Sequence, residues 1–223
     1  MSTPHVYLAS HSPRRRELLD QIGVKFDVLG VDIDETQLAE EIPSEYVQRL
    51  AITKASSGKK LLQASSLNDN KNKLTNWQST KKHATIDLVL GADTAVVSDG
   101  DILGKPESPE HASEMLRQLS GRTHEVFTGV AIAGSRILTA VSRNLVTFRA
   151  LSEQEISCYV ATNEGCDKAG SYAVQGIAAI FIEKIQGSYS GVMGLPLYEV
   201  ANLLSQSGVE ILAGVKTTSR DNN

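Results

Sequence analysis

The sequence of 223 residues predicts an α/β fold, in which a mixed β-sheet is flanked by helices. Short β-branched and aromatic runs are interspersed with amphipathic helical stretches, without the strict alternation of a parallel sheet. The consecutive runs "HEVFTGVAIA" and "ILTAVSRNLVTFRAL" are typical of paired antiparallel strands, which a purely parallel sheet does not contain. The length of the chain suits one sizeable core, and we expect a single domain over residues 1–223.

The first part of the chain predicts a strand, a helix, a second strand and a second helix. "HVYLAS" is the first strand, and the helix that follows runs from Pro13 to about Ile22. "VKFDVLGV" is the second strand. The second helix begins at Ser44 and places Lys54 on the same face as its apolar residues.

The composition changes between Gln63 and His83, where Asn, Ser and Lys predominate. We interpret this segment as a mobile surface insertion. The tail, residues 216–223, is expected to be frayed.

The second part of the chain predicts further strands and helices. "IDLVLGADTAVV" is an apolar strand interrupted by the tetrad "GADT", and the Asp99-Gly100 pair predicts a hairpin turn. A helix begins at Ser108. A capping box at Ser152 and Glu155 begins the next one after the antiparallel pair. "AAIFIEKI" is a strand, and a last helix begins at Pro196.

Composition and charge argue against several classes of protein. The chain has 22 basic and 26 acidic residues, a balance that does not provide the basic face of a general nucleic-acid binder. No apolar run approaches the roughly 20 residues that span a bilayer, and the start of the chain does not resemble a secretory signal, so a cytoplasmic location is expected. Cys158 and Cys166 form no CxxC pair, so we expect free thiols and no structural metal.

Three consecutive arginines, Arg14, Arg15 and Arg16, occupy the first turn of the first predicted helix. The helix dipole disfavours cations at that end. An anion bound there would reverse the preference, because backbone N–H groups and guanidinium groups would then point at one negative charge. The alternative is a solvated basic turn, in which solvent screening keeps the penalty small.

Two lysines are further candidates for anion binding. Lys54 either extends along an apolar face towards solvent or points into a cleft. Lys105 directly precedes Pro106, which restricts the local backbone to an extended form, and its alternative is an ordinary surface position.

Carboxylates supply the other candidate site residues. Asp93 is predicted at the end of an apolar strand, the edge at which α/β sheets bind ligands. Glu35, in an acidic run, is either a metal ligand or part of a solvated face. Asp167 and Lys168 are further candidates, and the alternative for them is an ordinary ion pair in a turn. Together with the cations, these groups suit a polyphosphate, which needs cations for its oxygens, carboxylates for Mg²⁺ and a proton acceptor for an attacking water.

Seven stretches, in order, resemble the Maf family of nucleoside triphosphate pyrophosphatases, which is related to the inosine triphosphate pyrophosphatases. They are "LASHSPRRRELL", "RLAITKA", "LGADT", "GKP", "LSGRTHEVFTGVAI", "DKAGSYAVQG" and "GSYSGVMGLPL". The resemblance implies a fold of two lobes with a central cleft, commonly as a homodimer. It also implies metal-dependent hydrolysis between the α and β phosphates, with Mg²⁺ or Mn²⁺.

The resemblance assigns roles to individual residues. It implies that Asp93 accepts a proton from water, that Ser10 and Arg15 contact phosphates, and that the other residues complete the cleft. These other residues are Glu35, Lys54, Lys105, Asp167 and Lys168, and the metal ligands implied are Glu35 and Asp93.

Three further positions match the dTTP/UTP branch of that family: Arg14, Thr94 and Gln175. The branch that acts on 7-methyl-GTP has Trp, Gln and Glu there. The amide of Gln175 offers both a donor and an acceptor to a uracil or thymine edge, whereas a carboxylate offers acceptors only.

Two other function classes remain open at this stage. A non-catalytic nucleotide-binding regulator of septum formation would use the same fold, although retention of Asp93, Glu35 and Lys105 favours turnover. A nucleic-acid module would depend only on "PRRR" and the Lys-containing insertion.

Overall fold

The structure is a computed structural model that describes residues 4–72 and 87–214. It is an α/β fold with a mixed sheet and flanking helices, as the sequence predicts. In the described ranges the strands are β1 (Val6–Leu8), β2 (Phe26–Val28), β3 (Leu88–Ser98), β4 (Asp101–Leu103), β5 (Thr123–Ala133), β6 (Ile137–Phe148) and β7 (Ile182–Gln186). The helices there are α1 (Pro13–Gln21), α2 (Pro43–Asn72), α3 (Pro109–Leu119), α4 (Glu153–Ala161), α5 (Tyr189–Met193) and α6 (Leu197–Gln206).

The sheet has the order β2-β1-β3-β5-β6-β7, and β4 pairs with the far end of β3. β1 is parallel to both β2 and β3, and the pairings from β3 through β5 and β6 to β7 are antiparallel. β1 is only three residues long and its last residue, Leu8, pairs with Leu90. Beyond Leu90, no described strand pairs with this edge of β3 until β4 joins it at Val96, so a gap opens in the sheet.

The two faces of the sheet have different covers. α2 packs its small residues Ala51 and Ala55 on one face, whereas the other helices enclose a larger apolar cluster on the opposite face. Gly91 of β3 and Gly129 of β5 allow this close approach, because a Cβ atom at either position would overlap the backbone of α2. The helix that carries Lys54 therefore lies directly against the sheet.

Most of the predicted boundaries agree with the structure. The hairpin at Asp99-Gly100, the N-cap of α3 at Ser108 and the capping box at Ser152 are all present. The last predicted helix corresponds to α6, and both cysteines are free and exposed. None of the helices in the described part of the chain is long and apolar enough to cross a membrane.

Two predictions about local structure were wrong. β3 is not interrupted at "GADT", because β5 supplies paired backbone groups continuously from Val89 to Val97, so Asp93 lies within the strand and not at its end. The first half of "AAIFIEKI" is a 3₁₀ helix, Ile177–Phe181. Residues 63–72 of the expected insertion continue α2, while the rest of the insertion and the expected frayed tail lie outside the described residues.

Candidate active site

A cavity of about 810 Å³ opens at the gap in the sheet beyond β1. Because alternate residues of a strand point to opposite faces, Asp93 is directed to the α2 side and Thr94 to the α1 side, and both line the cavity. Every predicted site residue except Ser10 lines it. These residues are Arg14, Arg15, Glu35, Lys54, Asp93, Thr94, Lys105, Asp167, Lys168 and Gln175.

Asp93, Lys54 and Glu35 form an ionic cluster in the cavity. The Lys54 Nζ atom lies 2.6 Å from Asp93 Oδ1 and 2.6 Å from Glu35 Oε1. Asp93 is 7% exposed, and burial raises the pKa of its carboxyl group, although Lys54 and Arg15 oppose the rise. Burial also acts to raise the pKa of Glu35, but the hydrogen bond and charge of Lys54 outweigh it and the pKa is lowered.

The loop that carries Glu35 is anchored to α2 by residues that the sequence analysis missed. The Tyr46 hydroxyl donates to the Glu35 carbonyl oxygen at 3.0 Å. Arg49 forms a bidentate pair with Glu41 at 2.5 and 2.7 Å and also donates to the Thr36 carbonyl oxygen. The motif "RLAITKA" contains Arg49 one turn before Thr53, but nothing in its spacing indicates a partner in the preceding loop.

Arg15 is fixed by three hydrogen bonds from its guanidinium group. It donates to the Gly194 carbonyl oxygen at 2.9 Å, to Ser10 Oγ at 3.1 Å and to Thr94 Oγ1 at 3.4 Å. Thr128 donates its single hydroxyl proton to the Gly191 carbonyl oxygen at 2.8 Å. In the 2.9 Å contact between the two hydroxyl groups, Thr94 is therefore the donor and Thr128 the acceptor. This chain of hydrogen bonds orients one arginine of the triplet before any ligand binds.

Ser10 differs from the other predicted residues. It is buried and lies behind Arg15, and its Oγ atom accepts hydrogen bonds from Arg15 and from the Ser12 N–H group. These contacts favour an orienting role.

The remaining charged groups lie around the same cavity. Burial lowers the pKa of Arg14, and the charges of Asp167 and Glu17 oppose the change. Asp167 and Lys168 form the turn ion pair that the sequence allowed, and both line the cavity. Lys105 is exposed, and its charge contributes to the low pKa of Glu35.

One wall of the cavity is free of charge. Tyr172, Ala173, Val174 and Gln175 form it with Val192 and Met193 of α5. Gln175 is exposed in this structure. A neutral wall next to a ring of charges suits a ligand with one flat, neutral part and one anionic part.

The residues present fit a divalent cation in part. Among residues 4–72 and 87–214, no group of three or more His, Cys, Asp or Glu side chains forms a metal-binding cluster. Glu35 and Asp93 each place an oxygen atom 2.6 Å from Lys54 Nζ, so these two oxygens are no more than twice that distance apart. Two carboxylates suit Mg²⁺, which is commonly held by one or two protein carboxylates together with substrate phosphates.

The fold and cavity define the class of protein: an α/β protein whose cleft combines arginines, lysines and carboxylates at a gap in a mixed sheet. The chain belongs to the Maf-like protein family, whose family model matches residues 5–207.

Similar proteins cover nearly the whole chain. A dTTP/UTP pyrophosphatase of Nitrosospira multiformis is 50% identical, over 92% of this chain and 96% of its own length. Proteins of the same name from Alkalilimnicola ehrlichii and Aromatoleum aromaticum are 48% and 49% identical, over 93% and 91% of this chain and 95% of their own lengths.

Proposed function

We propose that this protein is a nucleoside triphosphate pyrophosphatase that hydrolyses dTTP and UTP to the nucleoside monophosphate and pyrophosphate. The relatives described above bear the name of that activity. The observation that carries the proposal is the buried Asp93 carboxylate, which lies in the cavity beside Lys54 and Arg15.

The triphosphate chain is held by the cations of the cavity. Arg15 is already oriented, so binding loses little side-chain entropy there. Arg14, Lys105 and Lys168 are further cations that line the cavity and can approach the phosphate oxygens. Ser10 supports the triphosphate through Arg15.

Asp93 accepts the proton of the attacking water. Burial raises its pKa, which strengthens the carboxylate as a proton acceptor, while the neighbouring cations Lys54 and Arg15 favour the ionised form that can act as a base. Lys54 hydrogen-bonds Oδ1, and no described residue donates to Oδ2. Oδ2 is therefore the oxygen that we assign to the proton transfer.

We also propose a divalent cofactor, Mg²⁺ or Mn²⁺, held by Glu35 and Asp93 together with phosphate oxygens. Such an ion neutralises charge on the phosphates and polarises them. Glu35 is suited to this role because Lys54 and Lys105 keep its pKa low. The Tyr46 hydrogen bond fixes its backbone.

The pyrimidine base is placed against the neutral wall, where Gln175 presents its amide. Thr94 donates its only hydroxyl proton to Thr128 and accepts from Arg15, so we assign it an orienting role through Arg15, which binds the triphosphate. Arg14 also lines the cavity, where the charges of Asp167, Glu17 and Glu164 act on it.

Other aspects of the proposal depend on the resemblance and on composition. We propose one domain spanning residues 1–223 and a homodimer in the cytoplasm. We propose no nucleic-acid partner because of the net charge of −4, and no membrane partner because no apolar run approaches the roughly 20 residues that span a bilayer.

The test is to incubate the protein with a panel of nucleoside triphosphates and Mg²⁺ and to identify the products. We expect dTTP and UTP to give monophosphate and pyrophosphate. Diphosphate with phosphate would contradict the assignment of the bond. Nucleotide binding without any product would favour the regulator.

The base assignment has its own test, Gln175→Glu. Because the replacement loses a donor to the base and adds a charge, we expect kcat/KM for dTTP and UTP to fall by about 5- to 150-fold, the range for one unpaired polar group. Because Gln175 is exposed, we expect the loss of kcat/KM to lie near the lower end of this range. Equal losses on purine and pyrimidine triphosphates would contradict this role.

A further inference from the structure

Glu164 lines the cavity but has no place in the chemistry described above. It follows α4, and its carboxylate accepts hydrogen bonds from three donors. Oε1 accepts from the Tyr159 hydroxyl at 3.0 Å and from the Ala178 N–H group at 3.2 Å, and Oε2 accepts from the Ile177 N–H group at 2.8 Å.

These contacts join α4 to the neutral wall. Ile177 and Ala178 are the first residues of the 3₁₀ helix Ile177–Phe181, and their N–H groups are free of intrahelical partners at that end. Glu164 therefore caps this helix directly after Gln175 and Gly176.

Gly176 shows how closely the wall approaches the carboxylate. A Cβ atom at this position would overlap the Glu164 carboxyl group, so only glycine permits the contact. The Gly176 N–H group also donates to the Ala173 carbonyl oxygen at 3.0 Å, which closes the segment Ala173–Gly176 into a turn. The position of Gln175 within that turn consequently depends on Glu164.

Three donors of the protein already occupy acceptor sites of the Glu164 carboxylate, which argues against direct recognition of a base by Glu164. Tyr159 is 3% exposed, and burial, followed by the Glu164 charge, raises the pKa of its hydroxyl group, which remains a donor. The carboxylate thus serves the backbone of the wall, while Gln175 on that wall is exposed to the cavity.

We propose that Glu164 is a positioning residue for base selectivity, because it fixes the turn Ala173–Gly176 that presents Gln175 to a pyrimidine. This inference rests on the proposed function for the identity of the nucleotide. It adds that selectivity for the base depends on a carboxylate that does not contact the phosphates.

The test is Glu164→Gln, which keeps the shape of the side chain. An amide retains one acceptor oxygen but turns a second donor towards the Ile177 N–H group, so one contact with the wall is lost. The Asp93→Asn background slows turnover, and binding of two probes is measured by calorimetry with Mg²⁺ present. The probes are dTTP and inorganic triphosphate, which carries the phosphates without a base.

We expect the Kd of dTTP to rise by about 5- to 50-fold, within the range for one unpaired buried group. The Kd of inorganic triphosphate should not rise, because no phosphate contact is altered and the only electrostatic change at Arg14 is the loss of the Glu164 charge. Equal weakening of both probes, or no weakening of either, would overturn the inference.

A matched control is Glu153→Gln on α4. It makes the same chemical change in a residue that pairs with Arg117 on the surface and does not line the cavity, so both Kd values should remain unchanged. If Glu164→Gln does not fold, Gly176→Ala tests the same contact from the other side and should change the two Kd values in the same unequal way.

Failure of the proposed function has a separate signature. Absence of pyrophosphate release by the wild type would contradict the hydrolase assignment, whereas the ratio of the two Kd values is measured without turnover.

Discussion

His124 provides a prediction about stability that follows directly from its burial. Its side chain lies among Phe148 and Tyr172, it is 2% exposed, and its Nε2 atom is 2.8 Å from the Tyr172 hydroxyl oxygen. Among the described residues, Nδ1 has no hydrogen-bond partner, and no carboxylate contributes to the shift of the pKa of this histidine. Burial lowers the pKa of His124 from 6.5 to about 4.

The sign of the effect follows from proton binding. Between pH 6.5 and pH 4 the unfolded chain binds a proton at this position and the folded chain does not, so acid favours unfolding. The stability is present in full above pH 6.5 and is lost as the pH falls. With about 1.36 kcal/mol for each pKa unit, the loss is about 2 kcal/mol at pH 5 and approaches about 3 kcal/mol below pH 4.

The measurement is the free energy of unfolding from urea titrations between pH 7.5 and pH 5, for the wild type and for His124→Phe. The replacement fits an aromatic cluster and does not titrate, although it leaves the Tyr172 hydroxyl unpaired and lowers stability at every pH. We expect the difference between the two proteins to diminish by about 2 kcal/mol from pH 7.5 to pH 5. A constant difference across that range would refute the reasoning.

Three further predictions concern the active site and its support. Asp93→Asn should remain folded and lose about 10²- to 10⁴-fold in kcat, measured by pyrophosphate release, because the amide cannot accept a proton. Lys54→Met should move the acid limb of the kcat/KM profile to higher pH, since Lys54 lowers the pKa of Asp93, whereas Glu35→Gln should move it to lower pH, since Glu35 raises that pKa. Gly129→Ala should cost about 1 to 3 kcal/mol of stability by urea titration, because the new methyl group overlaps the Val47 carbonyl of α2.

Each of these three predictions would be contradicted by a specific result. Near-normal turnover by folded Asp93→Asn would exclude Asp93 as the base. Acid limbs that coincide in wild type, Lys54→Met and Glu35→Gln would show that another group controls ionisation. An unchanged urea midpoint for Gly129→Ala would show that α2 does not depend on this close contact.

The sequence alone was sufficient for the elements with local signals. A proline after Ser108 and the reciprocal Ser152 and Glu155 pair specify helix starts within a few residues, and the structure contains both. The hairpin at Asp99-Gly100 is equally local, because two residues adopt positive φ there.

Other parts of the fold depended on distant partners. Taken by itself, the pattern "GADT" indicates a break in the strand. Pairing with β5 nevertheless keeps β3 extended through Asp93. The polar composition of residues 63–72 likewise did not end α2. Tertiary and pairing energies exceed the weak local preferences in such segments.

The residue types of the candidate site were readable from the sequence, but their arrangement was not. Cations and carboxylates at recognisable motifs indicated a polyphosphate, and all but Ser10 line one cavity. Only the tertiary structure placed Lys54 between Asp93 and Glu35, and Glu164 behind the wall of Gln175. The physical reason is that these contacts join segments far apart in the chain, and they form because β1 ends early and α2 lies directly on Gly91 and Gly129.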